Sequence, residues 1–221
     1  MGNIVAIDGP AGSGKSTVSR SLARELGFLY LDTGAMYRAA ALAAQRRFGS
    51  RLPGEERLGA FCRSLDVHFL NETDPPRLFL GEEDVSTAIR TPQMDILSSN
   101  LSAIPEVRWA MVSLQRGIAA SADLVAEGRD MGTVVFPRAQ HKFFLTASPE
   151  TRARRRWQER LDRGEDAVFE TVLIELKRRD RQDENRPVAP LRPAQDATLI
   201  DTDGMEVDAV LEALLKIIKN Y

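Results

Sequence analysis

Ile4-Val5-Ala6-Ile7-Asp8-Gly9-Pro10-Ala11-Gly12-Ser13-Gly14-Lys15-Ser16-Thr17 is the stretch that decides the fold. It opens with a short β-branched and apolar run ending at Asp8 and passes through a glycine-rich turn. From Lys15 to Leu26 apolar residues then recur at helical spacing, with Gly27 as the stop. Strand, loop and helix in this order carry G-x-x-x-x-G-K-[ST] from Gly9 to Ser16. In that arrangement backbone N–H groups curl around phosphates while a helix amino terminus faces their charge. Lys15 is expected to reach the β- and γ-phosphates of a nucleoside triphosphate, the Ser16 hydroxyl to coordinate the Mg²⁺ that bridges them, and Thr17 to help hold the α-phosphate. No N-K-x-D guanine-reading sequence occurs. ATP is therefore the expected co-substrate, with Gly9, Pro10, Ala11, Gly12, Ser13, Gly14, Lys15, Ser16 and Thr17 around its phosphates.

The same alternation continues outward. Phe28 to Leu31 reads as strand and Gly34 to Arg47 as helix; Leu124 to Ala126, Lys142 to Thr146 and Thr198 to Ile200 read as later strands. Five strands alternating with helices predict a parallel α/β sheet. Between Gly49 and Pro92 the texture changes: Pro53-Gly54 is a break, and Val67 to Leu70 and Arg77 to Leu80 flank the turn-rich run from Asn71 to Pro76. That predicts a small antiparallel excursion inserted into the core. Met94 to Trp109 is read as one helix, apolar for packing, from which Ser99 and Arg108 stand out. Thr151 to Arg186 is a charged stretch of helical periodicity, and Glu206 to Lys219 is an amphipathic helix for core packing.

The 221 residues suit one compact unit with appendages. Composition is that of a globular protein, 43% hydrophobic and 28% charged, with no apolar run near the roughly 20 residues that a bilayer crossing needs. The apolar run before Asp8 has no basic flank, and Ala6 stands where a myristoylation motif wants Ser or Thr, so a soluble cytoplasmic protein is expected. A single cysteine, Cys62, and two histidines, His68 and His141, suit a reducing compartment and leave no metal cluster to build. Net charge is −2, which gives no global attraction to nucleic acid, yet 25 Arg stand against 5 Lys. The guanidinium fork binds phosphate oxygens bidentately. A compositional preference for Arg is the alternative, and position separates the two.

Position favours function. Ten arginines fall within Thr151 to Arg186, and two isolated ones follow predicted strands: Arg38 in Leu31-Asp32-Thr33-Gly34-Ala35-Met36-Tyr37-Arg38, and Arg129 in Glu127-Gly128-Arg129-Asp130-Met131-Gly132. Open parallel sheets bind ligands at the carboxyl ends of their strands. An alcohol acceptor calls for a carboxylate base, whereas a nucleotide phosphate is largely ionised at pH 7 and calls for arginines.

These residues resemble bacterial-type cytidylate kinases, nucleoside monophosphate kinases of the P-loop class. The matching stretches are Ile7 to Thr17, Leu31 to Arg38, Val85-Ser86-x-x-Ile89-Arg90-Thr91, Glu127 to Pro137, and Asn185-Arg186-x-Val188-Ala189-Pro190-Leu191. The resemblance implies a three-layer P-loop fold with a five-stranded parallel sheet, an inserted nucleoside-monophosphate-binding domain with a small antiparallel sheet, and a short lid near Trp157 to Asp166. One domain then covers 1–221, with its core at 1–32, 121–150 and 187–221. The acceptor-binding region with the insert lies at 33–120, and the lid with its flanking helices at 151–186. The implied reaction moves the γ-phosphoryl group of ATP to CMP or dCMP. Thr33, Tyr37 and Arg38 would line the acceptor site, and Arg38, Arg129 and Arg186 would grip its phosphate. Asp130, Arg108 and Ser99 would read cytosine, while Arg179 and Asp183 would approach the sugar unless they form an intrahelical ion pair. Lys15, Arg38, Arg129 and Arg186 are the expected catalytic set. The partners implied are ATP with Mg²⁺ and CMP or dCMP, with no nucleic acid and no membrane, and a monomer. The rival readings are a kinase for a small alcohol or acid, with Asp32 or Asp130 as base, and a nucleotide-binding switch that phosphorylates nothing.

Overall fold

In the computed structural model, which describes residues 2–120 and 122–219, β1 (Ile4–Asp8) is buried along its whole length. A parallel strand covered on both faces requires this. The chain leaves β1 through the loop 9–14 into α1 (Lys15–Leu26), which stops at Gly27 in the left-handed conformation, φ 68°. β2 (Leu29–Asp32) follows, then α2 (Thr33–Phe48), capped by the Asp32 carboxylate accepting from the Ala35 N–H at 2.7 Å. The next elements are α3 (Glu55–Arg63), β3 (Val67–Leu70), β4 (Arg77–Leu80), β5 (Glu83–Asp84), α4 (Pro92–Ser102) and α5 (Pro105–Ile118). β6 (Leu124–Gly128) returns the chain to the core and runs into one turn of π-helix, Met131–Val135. β7 (His141–Thr146), α6 (Pro149–Asp162), α7 (Phe169–Asn185), β8 (Thr198–Asp201) and α8 (Val207–Lys219) complete it.

The main sheet runs β2-β6-β1-β7-β8 with every pair parallel. Strand alternation sorts its side chains into two cores. Ile4 and Ala6 face one way with Leu31, Leu124 and Ala126, packing on Met36 and Ala39 of α2 and Val107 and Met111 of α5. Val5 and Ile7 face the other way with Tyr30, Val125, Phe143 and Leu145, packing on Val18 and Leu22 of α1 and Val210 and Leu214 of α8. Helices therefore cover both faces, and the chain reverses direction across the sheet at β1. The loop after β1 lies at that switch point, where open sheets leave a crevice.

The five expected strands all form, within two residues of their expected bounds. The helix expected over Met94 to Trp109 is two helices. Pro105 cannot donate to a helix and disfavours helical backbone before it, so Ile104 turns to an extended conformation, φ −83° and ψ 121°. The charged stretch from Thr151 is likewise divided, with a bend between α6 and α7 at Gly164, φ 74°. The antiparallel excursion exists as β3-β4-β5, with His68 opposite Phe79, and gains a third strand of two residues. α3 and the π-helical turn have no counterpart in the sequence reading; each spans few residues.

The insert does not float free. The Asn71 side chain accepts from the Tyr30 N–H of edge strand β2 at 3.2 Å, and Asp74 pairs with Arg20 and Arg24 of α1 at 3.3 and 3.4 Å. At its other end α3 lies directly on α5. A Cβ on Gly59 would stand 2.6 Å from Glu106 Cβ and 3.0 Å from its carbonyl oxygen. Alanine in place of glycine inside a helix normally gains up to about 1 kcal/mol. Here overpacking reverses the sign, and Gly59→Ala is expected to destabilise the protein by roughly 1–3 kcal/mol, read as a lower urea midpoint at unchanged slope.

Candidate active site

One cleft of about 1440 Å³ runs along the carboxyl ends of the strands and takes in the loop after β1, α2, α4, α6 and α7. Gly9, Gly12 and Gly14 have φ of 149°, 76° and 84°, a backbone that residues with a Cβ rarely adopt. The turn they permit is tight: a Cβ on Gly12 would lie 2.8 Å from the Arg152 carbonyl oxygen. α1 has no side-chain cap, so its first N–H groups are free to face the cleft. Lys15 folds back into the loop, donating to the Pro10 carbonyl at 2.7 Å. Burial, with Arg129 nearby, pushes its ammonium pKa down, and Glu127 and Asp8 push back. A phosphate placed there would push that pKa back up. Ser13 is buried, while Ser16 and Thr17 are exposed on the first turn of α1.

Two carboxylates tie this loop to the end of β6. Asp8 accepts from the N–H groups of Met131 and Gly132, each at 2.8 Å. Its pKa is pushed up to about 6 by burial, which outweighs those two hydrogen bonds. Glu127 accepts from the Tyr30 hydroxyl and, on its backbone carbonyl, from the Thr33 hydroxyl at 2.6 Å. Burial and then Asp32 raise its pKa, while Lys15, Tyr30 and the Ser16 hydroxyl hold it down. Arg152, 4% exposed, braces the loop from outside, donating to Ala11 and Ala147 carbonyls at 3.1 and 2.9 Å and pairing with Asp180 at 2.8 Å.

Across the cleft the arginines converge from four elements. Arg38 lies on the second turn of α2, not on a strand end, and reaches back toward Asp32 at 3.5 Å and Asp95 at 3.8 Å. Arg129 follows β6 and pairs with Asp183 at 2.9 Å. Asp183 therefore belongs to Arg129, and the i,i+4 ion pair with Arg179 does not form. Burial would raise the Asp183 pKa, but Arg129 and Arg179 hold it low. Arg179 has no ion pair among the described residues, and its Nε is buried without a partner; burial and then Arg129 depress its pKa. Asp130 receives Arg108 at 2.5 Å and Arg186 at 3.5 Å. Arg108 also donates to the Ser102 carbonyl at 3.0 Å, and its Cζ lies 5.8 Å from the Tyr37 ring, whose phenol burial pushes to about 12. Arg186 is held by the carbonyl of Ala189, a residue at φ 53°.

The Ser99 hydroxyl is buried with no partner, whereas that of Ser98 donates to the Asp95 carbonyl at 3.1 Å. Of the two adjacent serines only Ser99 has an uncommitted hydroxyl. Of the three consecutive arginines on α6, Arg155 turns to Thr202 at 3.0 and 2.7 Å, Arg156 binds Asp95, and Arg154 is exposed.

The expected site residues thus gather around one cleft, with Gly9 and Pro10 buried behind its wall. The sequence reading missed Asp8, Tyr30, Asp95, Arg152 and Thr202. Asp8 was legible in principle as the acid that ends the first strand; the others carry no local pattern and are brought in by packing.

The family model for cytidylate kinase matches residues 5–220. A cytidylate kinase of Shewanella sp. (strain MR-7) is 49% identical over 217 residues, covering 97% of this chain and 94% of that protein. One of Citrifermentans bemidjiense is 46% identical over 218 residues, 99% of this chain and 93% of that one. The crystal structure of an uncharacterised protein from Eubacterium ventriosum ATCC 27560 aligns over 99% of both chains with a TM-score of 0.51 at 13% identity, a likeness of fold alone.

Asp8 gives a pH signature. Its folded pKa, about 6, lies above the ordinary value of 3.8 for this carboxyl, so its contribution to stability is full below the lower value and is lost as pH rises through the upper. Asp8→Asn removes this titration. Between pH 4 and pH 7 the wild-type chain is expected to lose on the order of 2–3 kcal/mol relative to the variant, measured by urea unfolding at each pH.

Proposed function

The chain belongs to the cytidylate kinase family and transfers the γ-phosphoryl group of ATP to CMP or dCMP, giving CDP or dCDP and ADP, and within that activity we propose the following roles for its residues. The observation that carries them is the convergence of Arg38, Arg129, Arg179 and Arg186 on one cleft with Lys15. Several are close enough to depress one another's pKa, as Arg129 and Arg179 do to Lys15. Such crowding of like charge has a purpose only where polyanions bind.

Residues 9–17 cradle the triphosphate of ATP, with backbone N–H groups and the α1 amino terminus facing its oxygens. Arg38, Arg129 and Arg186 hold the acceptor phosphate, and Arg179 and Asp183 approach the acceptor's sugar. The acceptor is ionised at pH 7 and needs no base to attack in line. Lys15 and the arginines then stabilise charge on the equatorial oxygens of a loose transition state. Asp32 and Asp130 are poor candidates for the base of an alcohol kinase: Asp32 caps α2 and faces Arg38 and Arg90, and Asp130 is held between two arginines.

Mg²⁺ fits the donors present. The Ser16 hydroxyl lies beside the Glu127 carboxylate, which gives hard oxygen donors of the kind this ion takes together with phosphate oxygens. Among the described residues no group of three or more His, Cys, Asp or Glu forms a cage of its own. Bound with ATP, the ion would neutralise charge on the phosphates.

Cytosine presents an amino donor beside a ring acceptor. The Arg108–Asp130 pair offers the complement, a carboxylate beside a guanidinium, with the Ser99 hydroxyl as a third contact. Tyr37 and Thr33 line the acceptor side. The lid is assigned to 157–166, the end of α6 and the bend after it.

ADP release from Mg-ATP with CMP, dCMP, UMP, AMP or shikimate tests this reading. CMP and dCMP should lead, with UMP weaker. Asp130→Asn and Arg108→Met should each lower kcat/KM for CMP by about 10- to 100-fold and narrow the margin over UMP. A preference for cytosine that survives both substitutions would sink the base assignment.

A further inference from the structure

Charges of alternating sign run across the mouth of the cleft. Glu159 and Arg156 of α6 pair at 3.0 Å, Arg156 binds Asp95 of α4, and Asp95 lies 3.8 Å from Arg38 of α2. Arg38 in turn faces Asp32 at the end of β2 at 3.5 Å, and Asp32 faces Arg90, from the segment after β5, at 3.7 Å. Asp95 is the middle of this row. It also acts on Arg179 of α7, raising a pKa that burial lowers. Two guanidiniums from two helices, those of Arg156 and Arg38, therefore face one carboxylate.

This is more than a solvated ion pair. The Asp95 side chain is 20% exposed and that of Arg156 30%, both in the cleft wall. The Asp95 backbone is fixed in the first turn of α4, which the Thr91 hydroxyl caps by accepting from Met94 N–H at 3.3 Å. Its position is set by the helix and not by the arginines.

We propose that Asp95 is a positioning residue for phosphoryl transfer: its carboxylate clasps α6 to α4 through Arg156 while it orients Arg38, so that the two walls of the cleft close together and keep water from the γ-phosphoryl group. The proposal rests on the reading of Arg38 as a ligand of the acceptor phosphate and of α6 as part of the lid. Closure of this kind separates transfer to an acceptor from hydrolysis. Asparagine has the shape of aspartate but no charge to hold two guanidiniums, so it opens the clasp without leaving a cavity.

The test measures CDP and total ADP in the same reaction, with the full chain, Mg-ATP and CMP. Wild type, Asp95→Asn, Asp95→Glu, Arg156→Met and the Asp95→Asn/Arg156→Met double variant are compared. Asp95→Asn is expected to raise ADP formed in excess of CDP about fivefold, the scale of one partly exposed ion pair, with kcat for CMP falling. Asp95→Glu should restore most of the coupling, a recovery that a purely structural role would not require. In the Arg156→Met background Asp95→Asn should add little to the leak. A wild-type ratio of ADP to CDP in Asp95→Asn overturns the proposal, as does an equal effect of that substitution with and without Arg156. Should Asp95→Asn fold poorly, Arg156→Met decides alone: a leak supports the clasp and tight coupling overturns it. A wild-type chain that makes no CDP overturns the acceptor reading and the clasp with it.

Discussion

The Asp8 carboxylate joins the two sides of the cleft. It sits at the end of the central strand, immediately before the phosphate loop, and its oxygens receive the amides of Met131 and Gly132 just beyond Arg129 and Asp130. The parallel pairing of β1 with β6 sets the two segments side by side, and this carboxylate fixes how the second one turns away. The loop after β1 and the arginines across the cleft thus share one rigid reference. In-line transfer needs the reacting atoms at about 3–3.5 Å, so a shared anchor matters more than the strength of either hydrogen bond. The burial that raises the Asp8 pKa is the cost of placing it there.

Positive charge gathered for phosphate has to be held before phosphate arrives. In this cleft carboxylates do so: Asp130 between Arg108 and Arg186, Asp183 on Arg129, Asp32 and Asp95 around Arg38. Guanidiniums held in this way are oriented in advance, which lowers the entropy lost when a nucleotide binds. The carboxylates also keep the arginines from repelling one another into solvent. Arg179, without an ion pair among the described residues, is the exception, and burial and Arg129 depress its pKa.

Much of this was legible in the sequence because it is local. The strand, loop and helix around Lys15 announce themselves by period and by glycine, and alternation along β1 is what divides the core into its two faces. The break before Pro105 was also readable, yet the apolar periodicity of α4 and α5 runs smoothly enough across it to suggest one helix. The arginine motifs pointed to residues that the fold brings to one cleft, but not to their partners. Asp95 reaches Arg156 across 61 positions, and Thr202 reaches Ser13 across 189. No spacing rule connects such pairs; they exist only because the sheet order brings distant loops to one end. Ser98 and Ser99 likewise differ in that the helix has already used the Ser98 hydroxyl.

The Asn71 contact with β2 reaches beyond the site. β2 is an outer strand of the sheet, and outer strands present unpaired N–H and C=O groups on which a foreign strand can assemble. The Asn71 side chain takes one of those donors at Tyr30, and the two arginines of α1 hold the hairpin against that border through Asp74. The segment inserted between α2 and α4 therefore also guards this border against self-association. Shortening its hairpin would bare that border as a growth point for aggregates.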